Sequence, residues 1–309
     1  MQKRIWQDLV KLLVIGFSVA AYIFITIRLI DFGQWHLIGH TLSFSIESLT
    51  LLLTLLVLWF INLFCEAAKW QVLMRPFISM SYLTAWRQVL AGTTTAVGSP
   101  MRMAEMVGRM VLLPKSKRLE AAVMTTVGGA MQNVVILISG VLAFFHFPLP
   151  VMSQVIKDHY FYILTSSIII LCGFAGLLFY FRDKIRYYIF RLAHIRRNVI
   201  FIALFWTSVR LLVFIFQLFL WMRLWDVYLT FSDYLPLACL YFFFITLLPS
   251  HILIDMGIRG SIALFLFSFS TDQTPLILLA TFSLWLSNVV VPTLLGGSVL
   301  IKQNTIKQG

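Results

Sequence analysis

Six long apolar segments constrain this chain more than any other feature of its sequence. Each contains about 20 residues or more, which is the length that an α-helix needs to cross the hydrocarbon core of a bilayer. A chain with so many apolar segments needs apolar surroundings, and this predicts an all-α polytopic membrane protein. The predicted full spans are residues 10–30, 46–65, 121–145, 160–181, 199–222 and 275–301.

The composition excludes an ordinary soluble protein. Of the 309 residues, 60% are hydrophobic and only 12% are charged, whereas soluble domains have about 25% charged residues. Between the apolar segments there is no stretch that resembles an independent water-soluble domain. We therefore expect one transmembrane domain over residues 1–309, without a soluble catalytic domain.

Two further apolar stretches are interrupted in the middle by turn-forming residues. The stretch 82–113 contains Gly98-Ser99-Pro100, and the stretch 234–270 contains Pro249-Ser250. Each stretch is predicted to form a pair of half-helices. The sequence leaves two versions open, a re-entrant hairpin or two complete short helices that cross the bilayer.

The basic residues indicate the orientation of the chain. There are 24 Lys and Arg residues against 12 Asp and Glu residues. With the N-terminus inside, 19 of the basic residues fall on the inner side and 3 on the outer side, as the positive-inside rule requires. We expect a cell (inner) membrane protein with both termini in the cytoplasm. Topology thus explains the net charge of +12, and a nucleic-acid partner is not expected.

The second half of the chain matches the first half after a shift of about 150 residues. Spans align with spans and broken hairpins with broken hairpins, and because three spans separate equivalent points, the halves enter the membrane in opposite senses. This pattern predicts an inverted repeat, with repeat 1 at about 1–150 and repeat 2 at about 151–309. The alternative is a chance match between short patterns in an apolar sequence. The aligned polar positions are Pro100, Glu105 and Arg109 in repeat 1 and Pro249, Asp255 and Arg259 in repeat 2.

Two pairs of opposite charge lie within these broken segments. Glu105 and Arg109 are four residues apart, as are Asp255 and Arg259, so each pair shares one face of a helix. A charge at membrane depth is costly and needs a partner. Two interpretations are open. In the first, the acid orients its arginine toward an anionic group such as a lipid phosphate. In the second, each pair is a structural salt bridge.

The two prolines are positioned to begin half-helices. Proline suits the first turn of a helix, where its missing N–H is no loss. Half-helices beginning at Pro100 and Pro249 would direct their N-termini, which favour anions, into the membrane beside Arg102 and Arg259. An ordinary kink at each proline is the alternative.

Other polar residues recur at helical spacing within the full spans. Arg210 and Gln217 are seven residues apart and share a helical face that must turn toward protein or water. For Asn288 and for the residues at 62, 66 and 69, the default interpretation is hydrogen bonding between helices. For the third span, the favoured interpretation is close packing against neighbouring helices. The polar and small residues of that span are Thr125, Gly128, Gly129, Gln132, Asn133, Ser139 and Gly140.

No motif for a metal or a cofactor is recognisable. The six histidines include no zinc-binding arrangement such as HExxH, and the sequence has no GxSxG, Walker or GxGxxG motif. We expect no cofactor and no catalytic metal.

Several of these motifs together resemble a known family. The chain is similar over nearly its whole length to the transmembrane region of lysylphosphatidylglycerol synthases and their flippase-like relatives. The resemblance implies movement of a phospholipid or lipid-linked anion between leaflets, and the aminoacyl transfer that relatives perform with a separate soluble domain is not expected here. The motifs that carry the resemblance are 62–70, 98–105 with Arg109, 248–250 and 257–260.

The sequence therefore favours a lipid translocase that handles an anionic headgroup and is not itself an enzyme. A membrane scaffold for a lipid-modifying or envelope-modifying enzyme, and a membrane enzyme that acts on lipid, are the alternatives. The expected partner is a membrane lipid, and a homodimer or a cytoplasmic partner enzyme is compatible with the sequence. The expected substrate-binding residues are Arg102, Glu105, Arg109, Arg210, Gln217, Asp255 and Arg259.

Overall fold

The fold is seen in a computed structural model that describes residues 27, 45–97, 99, 104–146, 197–248 and 252–308. Most of these residues are helical, and none of them forms a strand. A short 3-10 helix at Lys115–Lys117 precedes α4, and a π-helix at Leu286–Val290 joins the last two helices. The α-helices are α1 (Ile46–Met74), α2 (Tyr82–Val97), α3 (Glu105–Val111), α4 (Arg118–His146), α5 (Arg197–Leu224), α6 (Phe231–Leu247), α7 (Ile252–Phe267), α8 (Thr274–Trp285) and α9 (Val291–Gln308).

Among the described residues, four helical segments are long and apolar enough to cross a membrane. They contain 28 to 31 residues, or about 42 Å or more of helix at 1.5 Å per residue. They coincide with four of the six predicted full spans. The other two predictions, 10–30 and 160–181, lie outside the described residues. The four segments are Ile46–Met74, Lys115–Phe145, Arg197–Leu224 and Thr274–Ile301.

Two apolar cores lie at different levels of α4 and α5. The first, which we call the Trp70 core, contains Ala121 and Met124 of α4 and Ala203 of α5. The second, the Tyr234 core, contains residues nearer the C-terminal ends of both helices, such as Ile136 and Leu218. Helices α4 and α5 therefore run in the same direction. Helix α1 runs opposite to them, since its later residues approach the earlier part of α5.

The first broken segment forms an antiparallel hairpin of α2 and α3. Thr95 near the end of α2 donates a hydrogen bond to the carbonyl of Ala104, just before α3. Residues at the start of α2 and just after α3, including Ala85 and Leu113, meet in the Trp70 core. The chain thus leaves the hairpin where it entered. With seven residues, or about 10 Å, α3 is too short to cross a bilayer.

The second broken segment forms a hairpin of α6 and α7 against the Tyr234 core. Tyr234 near the start of α6 stacks on Phe267 at the end of α7, with ring centroids 6.0 Å apart. The Tyr234 hydroxyl donates to the carbonyl of Ile215 on α5 at 2.7 Å. The two hairpins therefore pack with their open ends against different cores. Both proline positions of the predicted breaks, Pro100 and Pro249, lie outside the described residues.

Helix α9 packs closely against the first hairpin because Gly296 lets the two backbones meet. A Cβ atom at Gly296 would collide with the backbone carbonyl of Leu90 and with the Thr94 hydroxyl, whereas one at Gly297 would meet nothing within 4 Å. The Thr94 hydroxyl also donates to the carbonyl of Thr293 at 2.8 Å.

We expect Gly296→Ala to lower the thermal stability of the protein in detergent, because overpacking against a rigid carbonyl costs about 1–3 kcal/mol. Gly297→Ala is the matched control and should be neutral or slightly stabilising, since alanine favours helices over glycine by about 1 kcal/mol. Equal melting temperatures for the two variants would contradict the close approach of α9 to α2.

Candidate functional site

A stripe of polar residues on α1 lies between the two apolar cores. Asn62, Glu66 and Lys69 follow one another at spacings of four and three residues, so they share one helical face. All three side chains are buried within the helical bundle. Because buried charges need partners, the neighbouring helices must supply them.

The Glu66 carboxylate receives three cations. Its Oε1 atom accepts a hydrogen bond from Arg109 Nη2 at 2.7 Å. Its Oε2 atom lies 2.6 Å from Arg210 Nη1 and 2.6 Å from Lys69 Nζ. The cations come from α3, α5 and α1 respectively, so one carboxylate joins three helices. We call these groups and their direct hydrogen-bond partners the Glu66 network.

The hairpin helix α3 places Arg109 deep in this network. Its Nη2 atom also contacts Glu105 Oε1 at 2.5 Å, one helical turn away. The guanidinium lies over the Trp70 ring at 4.7 Å from its centroid, an arrangement that favours a cation. The Trp70 ring is fixed in turn by a 2.6 Å hydrogen bond from its Nε1 to Gln88 Oε1. Arg109 is therefore held by two carboxylates and one aromatic face.

Arg210 is the most accessible cation of the network. Its side chain is 22% exposed, whereas Lys69 and Arg109 are each 4% exposed. Its Nε donates to Asn62 Oδ1 at 2.9 Å, and its Nη1 donates to Gln132 Oε1 at 3.3 Å as well as to Glu66. Within the described part of the chain, its Nη2 makes no hydrogen bond. The donors on Nη2 are therefore available to a ligand.

Three side-chain amides extend the network into the last span. Asn62 Nδ2 donates to Asn288 Oδ1 at 3.1 Å, and Asn288 Nδ2 donates to Gln217 Oε1 at 3.1 Å. Asn288 lies in the π-helix and also donates to the carbonyl of Leu284. Local π-helices inside α-helices often mark functional sites. Here the π-helix orients an amide toward α1 and α5.

The formal charges of the Glu66 network do not cancel. Lys69, Arg109 and Arg210 carry three positive charges, while Glu66 and Glu105 carry two negative charges. The amides contribute none. Among the residues that the structure describes, the cations of the network therefore outnumber its carboxylates, in a position enclosed by apolar helices.

A second charged group lies on α7. Arg259 Nε lies 2.8 Å from Asp255 Oδ2, and the same oxygen accepts a hydrogen bond from Trp285 Nε1 at 3.1 Å. Among the described residues, this group pairs one positive charge with one negative charge.

The structure divides the predicted site residues into these two groups. Glu105, Arg109, Arg210 and Gln217 belong to the Glu66 network, whereas Asp255 and Arg259 belong to the second group. Arg102 lies outside the described residues, with the two prolines.

The central role of Glu66 is not among the predictions from sequence. Positions 62, 66 and 69 were expected to form ordinary hydrogen bonds between helices, whereas Glu66 is the carboxylate that joins the cations. The sequence did contain an indication of this role. Glu66 lies in an apolar segment with Asn62 and Lys69 about one helical turn away on either side, and a buried acid in such a position needs several partners. No group of three or more metal-ligating side chains occurs among the described residues.

We expect Glu66→Gln to destabilise the protein more than Glu105→Gln. Loss of the Glu66 charge leaves Lys69 and Arg210 without their carboxylate, and breaking a buried ion pair costs about 3–5 kcal/mol. Loss of the Glu105 charge leaves Arg109 paired with Glu66. Thermal unfolding in detergent and in lipid nanodiscs measures the difference, and a larger loss in Glu105→Gln would contradict the central position of Glu66.

Comparison of the chain with protein-family models, with curated proteins and with solved structures gives no match. The resemblance to the membrane region of lysylphosphatidylglycerol synthases therefore depends on the sequence motifs alone. No family membership follows from it.

Proposed function

We propose that this protein is a flippase-like lipid translocase, which binds an anionic headgroup at Arg210 and moves it between leaflets. The substrate is an anionic phospholipid or a lipid-linked phosphate. One observation carries the proposal: in the described part of the chain, the Glu66 network holds more cations than carboxylates among apolar helices, and Arg210 is its most exposed cation. A charge in that environment is costly, and an anionic ligand would remove the cost.

The contacts single out Arg210 as the cation that can bind a headgroup. Arg109 is buried between Glu105 and Glu66, and Lys69 is buried against Glu66. Arg210 shares Glu66 with Lys69 and otherwise contacts neutral amides. Its guanidinium can present two parallel donors to phosphate oxygens, a geometry that lysine lacks.

The surroundings of the site suit a lipid rather than a soluble anion. Large apolar side chains cover the outer faces of the long helices, including Phe205 and Leu212 on either side of the Arg210 level of α5. These faces suit contact with acyl chains. A headgroup bound at Arg210 could then remain attached to chains in the bilayer.

The two hairpins suggest how the site would open to each side. Their open ends pack against different cores, which is consistent with an inverted repeat. Movement of one repeat relative to the other would give alternating access to a site between them. Arg109 connects the first hairpin directly to Glu66, so the hairpin and the ligand site would move together.

The proposed orientation places the inner ends of α1 and α4 in the cytoplasm. The exposed residues Lys115 and Ser116 precede α4, whereas Asp272 lies between α7 and α8 at the opposite side of the proposed membrane. Thiol labelling of Ser116→Cys and Asp272→Cys, in a background without native cysteines, should occur from opposite sides. Labelling of both from one side would exclude this orientation.

We expect Arg210→Gln to slow headgroup translocation about 10-fold or more, because a hydrogen bond to a charged group contributes about 1.5–3 kcal/mol. The measurement is the reduction by dithionite of fluorescent phosphatidylglycerol in reconstituted vesicles. Arg87→Gln is the matched control, since Arg87 is an exposed arginine on α2, and it should translocate at the wild-type rate.

Two results would contradict the proposal. One is wild-type protein that does not accelerate translocation of any anionic lipid above protein-free vesicles. The other is full activity in Arg210→Gln at equal reconstituted amounts. A scaffold protein would give the first result, because it would not itself transport lipid.

A further inference from the structure

The side-chain amide of Gln132 on α4 lies against the guanidinium of Arg210. We propose that Gln132 is a second headgroup-binding residue, whose Nε2 donates a hydrogen bond to a phosphate oxygen of the lipid that Arg210 binds. The inference rests on the proposed function, because it adds a residue to the Arg210 site and names the phosphate as the group that both residues hold.

The contact with Arg210 determines which end of the amide faces the guanidinium. Gln132 Oε1 accepts a hydrogen bond from Arg210 Nη1 at 3.3 Å. A guanidinium has donors only, so the amide nitrogen cannot take the place of the oxygen. Because Nε2 is bonded to the same carbon as Oε1, it lies next to the guanidinium, and neither of its hydrogens is used in that contact.

The amide nitrogen is an unsatisfied donor. With the residues that the structure describes, Gln132 Nε2 makes no hydrogen bond. Gln132 and Arg210 are both partly exposed, so a ligand can reach them. A donor without an acceptor is unfavourable at membrane depth, and Arg210 Nη2 also makes no hydrogen bond in the described part of the chain. Two adjacent side chains therefore present donors that suit a ligand rich in acceptors.

A glycine leaves room for a ligand on the same face of α4. Gly129 lies three residues before Gln132, so the two residues share one helical face. Gly129 is exposed, and a Cβ atom there would meet nothing within 4 Å. A Cβ atom at the neighbouring Gly128 would instead meet the Leu73 side chain at 3.2 Å. Close helix packing thus accounts for Gly128, whereas Gly129 leaves open space beside Gln132.

A phosphate group matches these two donors. Its non-bridging oxygens are acceptors, so one oxygen can take a hydrogen bond from Arg210 Nη2 and a second can take one from Gln132 Nε2. The guanidinium supplies the positive charge, and the amide supplies a directed neutral donor. A neutral donor costs less to bury than a second cation, which suits a site within a membrane.

Three variants distinguish a direct contact from a structural role. Gln132→Met keeps a side chain of similar length but removes the donor and the acceptor. Gln132→Lys provides donors for the phosphate but no acceptor for Arg210. Asn133→Met is the matched control, because Asn133 is an exposed amide at the next position of α4 and makes no hydrogen bond among the described residues.

The measurement is calorimetric titration of the purified full chain in nonionic detergent, with dihexanoyl phosphatidylglycerol as the probe. We expect the wild type and Asn133→Met to bind it equally. Gln132→Met should bind it about 10-fold more weakly, since it loses one hydrogen bond to a charged group. Gln132→Lys should bind it at least as tightly as the wild type. Inorganic phosphate, titrated in parallel, should bind the wild type about 10-fold more weakly than the lipid, because it lacks acyl chains.

The outcomes separate this inference from the proposed function. If the wild type does not bind the lipid, or binds inorganic phosphate equally well, the proposed function fails and the inference fails with it. If Arg210→Gln loses the lipid while Gln132→Met binds it like the wild type, only the inference fails. Equal weakening in Gln132→Met and Gln132→Lys would overturn the direct contact, since Gln132 would then act only as the acceptor for Arg210.

Where Gln132→Met does not fold, as checked by size-exclusion chromatography, Gln132→Glu provides the comparison. Glutamate keeps an acceptor for Arg210 and replaces the amide donor by a second acceptor. We expect a folded protein that has no measurable affinity for dihexanoyl phosphatidylglycerol. Wild-type affinity in Gln132→Glu would overturn the inference.

Discussion

The meeting of three cations on the Glu66 carboxylate is the interaction on which the architecture depends. Lys69, Arg109 and Arg210 belong to three different helices, and each lies within 2.7 Å of a carboxylate oxygen. In surroundings that exclude water, such charges are tolerated only in mutual contact. The carboxylate therefore fixes the first hairpin and α5 to the same level of α1.

This arrangement connects the fold to the proposed transport. The Glu66 network lies where the Trp70 core ends and the Tyr234 core begins, so apolar packing secures the helices on both sides of it. The amides of Asn62, Gln217 and Asn288 extend it to the π-helix in the last span. Among the described cations of the network, only Arg210 is partly exposed and has a guanidinium nitrogen that makes no hydrogen bond, which makes it the natural contact for a headgroup. In the second group, Asp255 pairs with Arg259, as in a structural salt bridge.

The sequence predicted the long helices well and the site only in part. The apolar segment correctly predicted that α1 begins at Ile46, but the helix continues beyond the predicted end at residue 65 to Met74. This extension contains the buried residues Glu66 and Lys69. The partners of Glu66 on other helices are Arg109 and Arg210, which are 43 and 144 residues away in the sequence, and no local sequence pattern reveals such contacts. The ion pairs Glu105–Arg109 and Asp255–Arg259 could be predicted, because the two partners of each pair lie four residues apart on one helix. The π-helix around Asn288 could not be predicted, since the hydrogen bonds of the Asn288 side chain are made with α1 and α5.

Native mass spectrometry of the protein extracted with its membrane lipids tests the central claim most directly. We expect the wild-type chain to retain an anionic lipid, because the partly exposed Arg210 guanidinium has a nitrogen that can contact the headgroup. The folded Arg210→Gln variant, checked by size-exclusion chromatography, should retain none. Equal lipid retention by both proteins would show that Arg210 does not bind the headgroup.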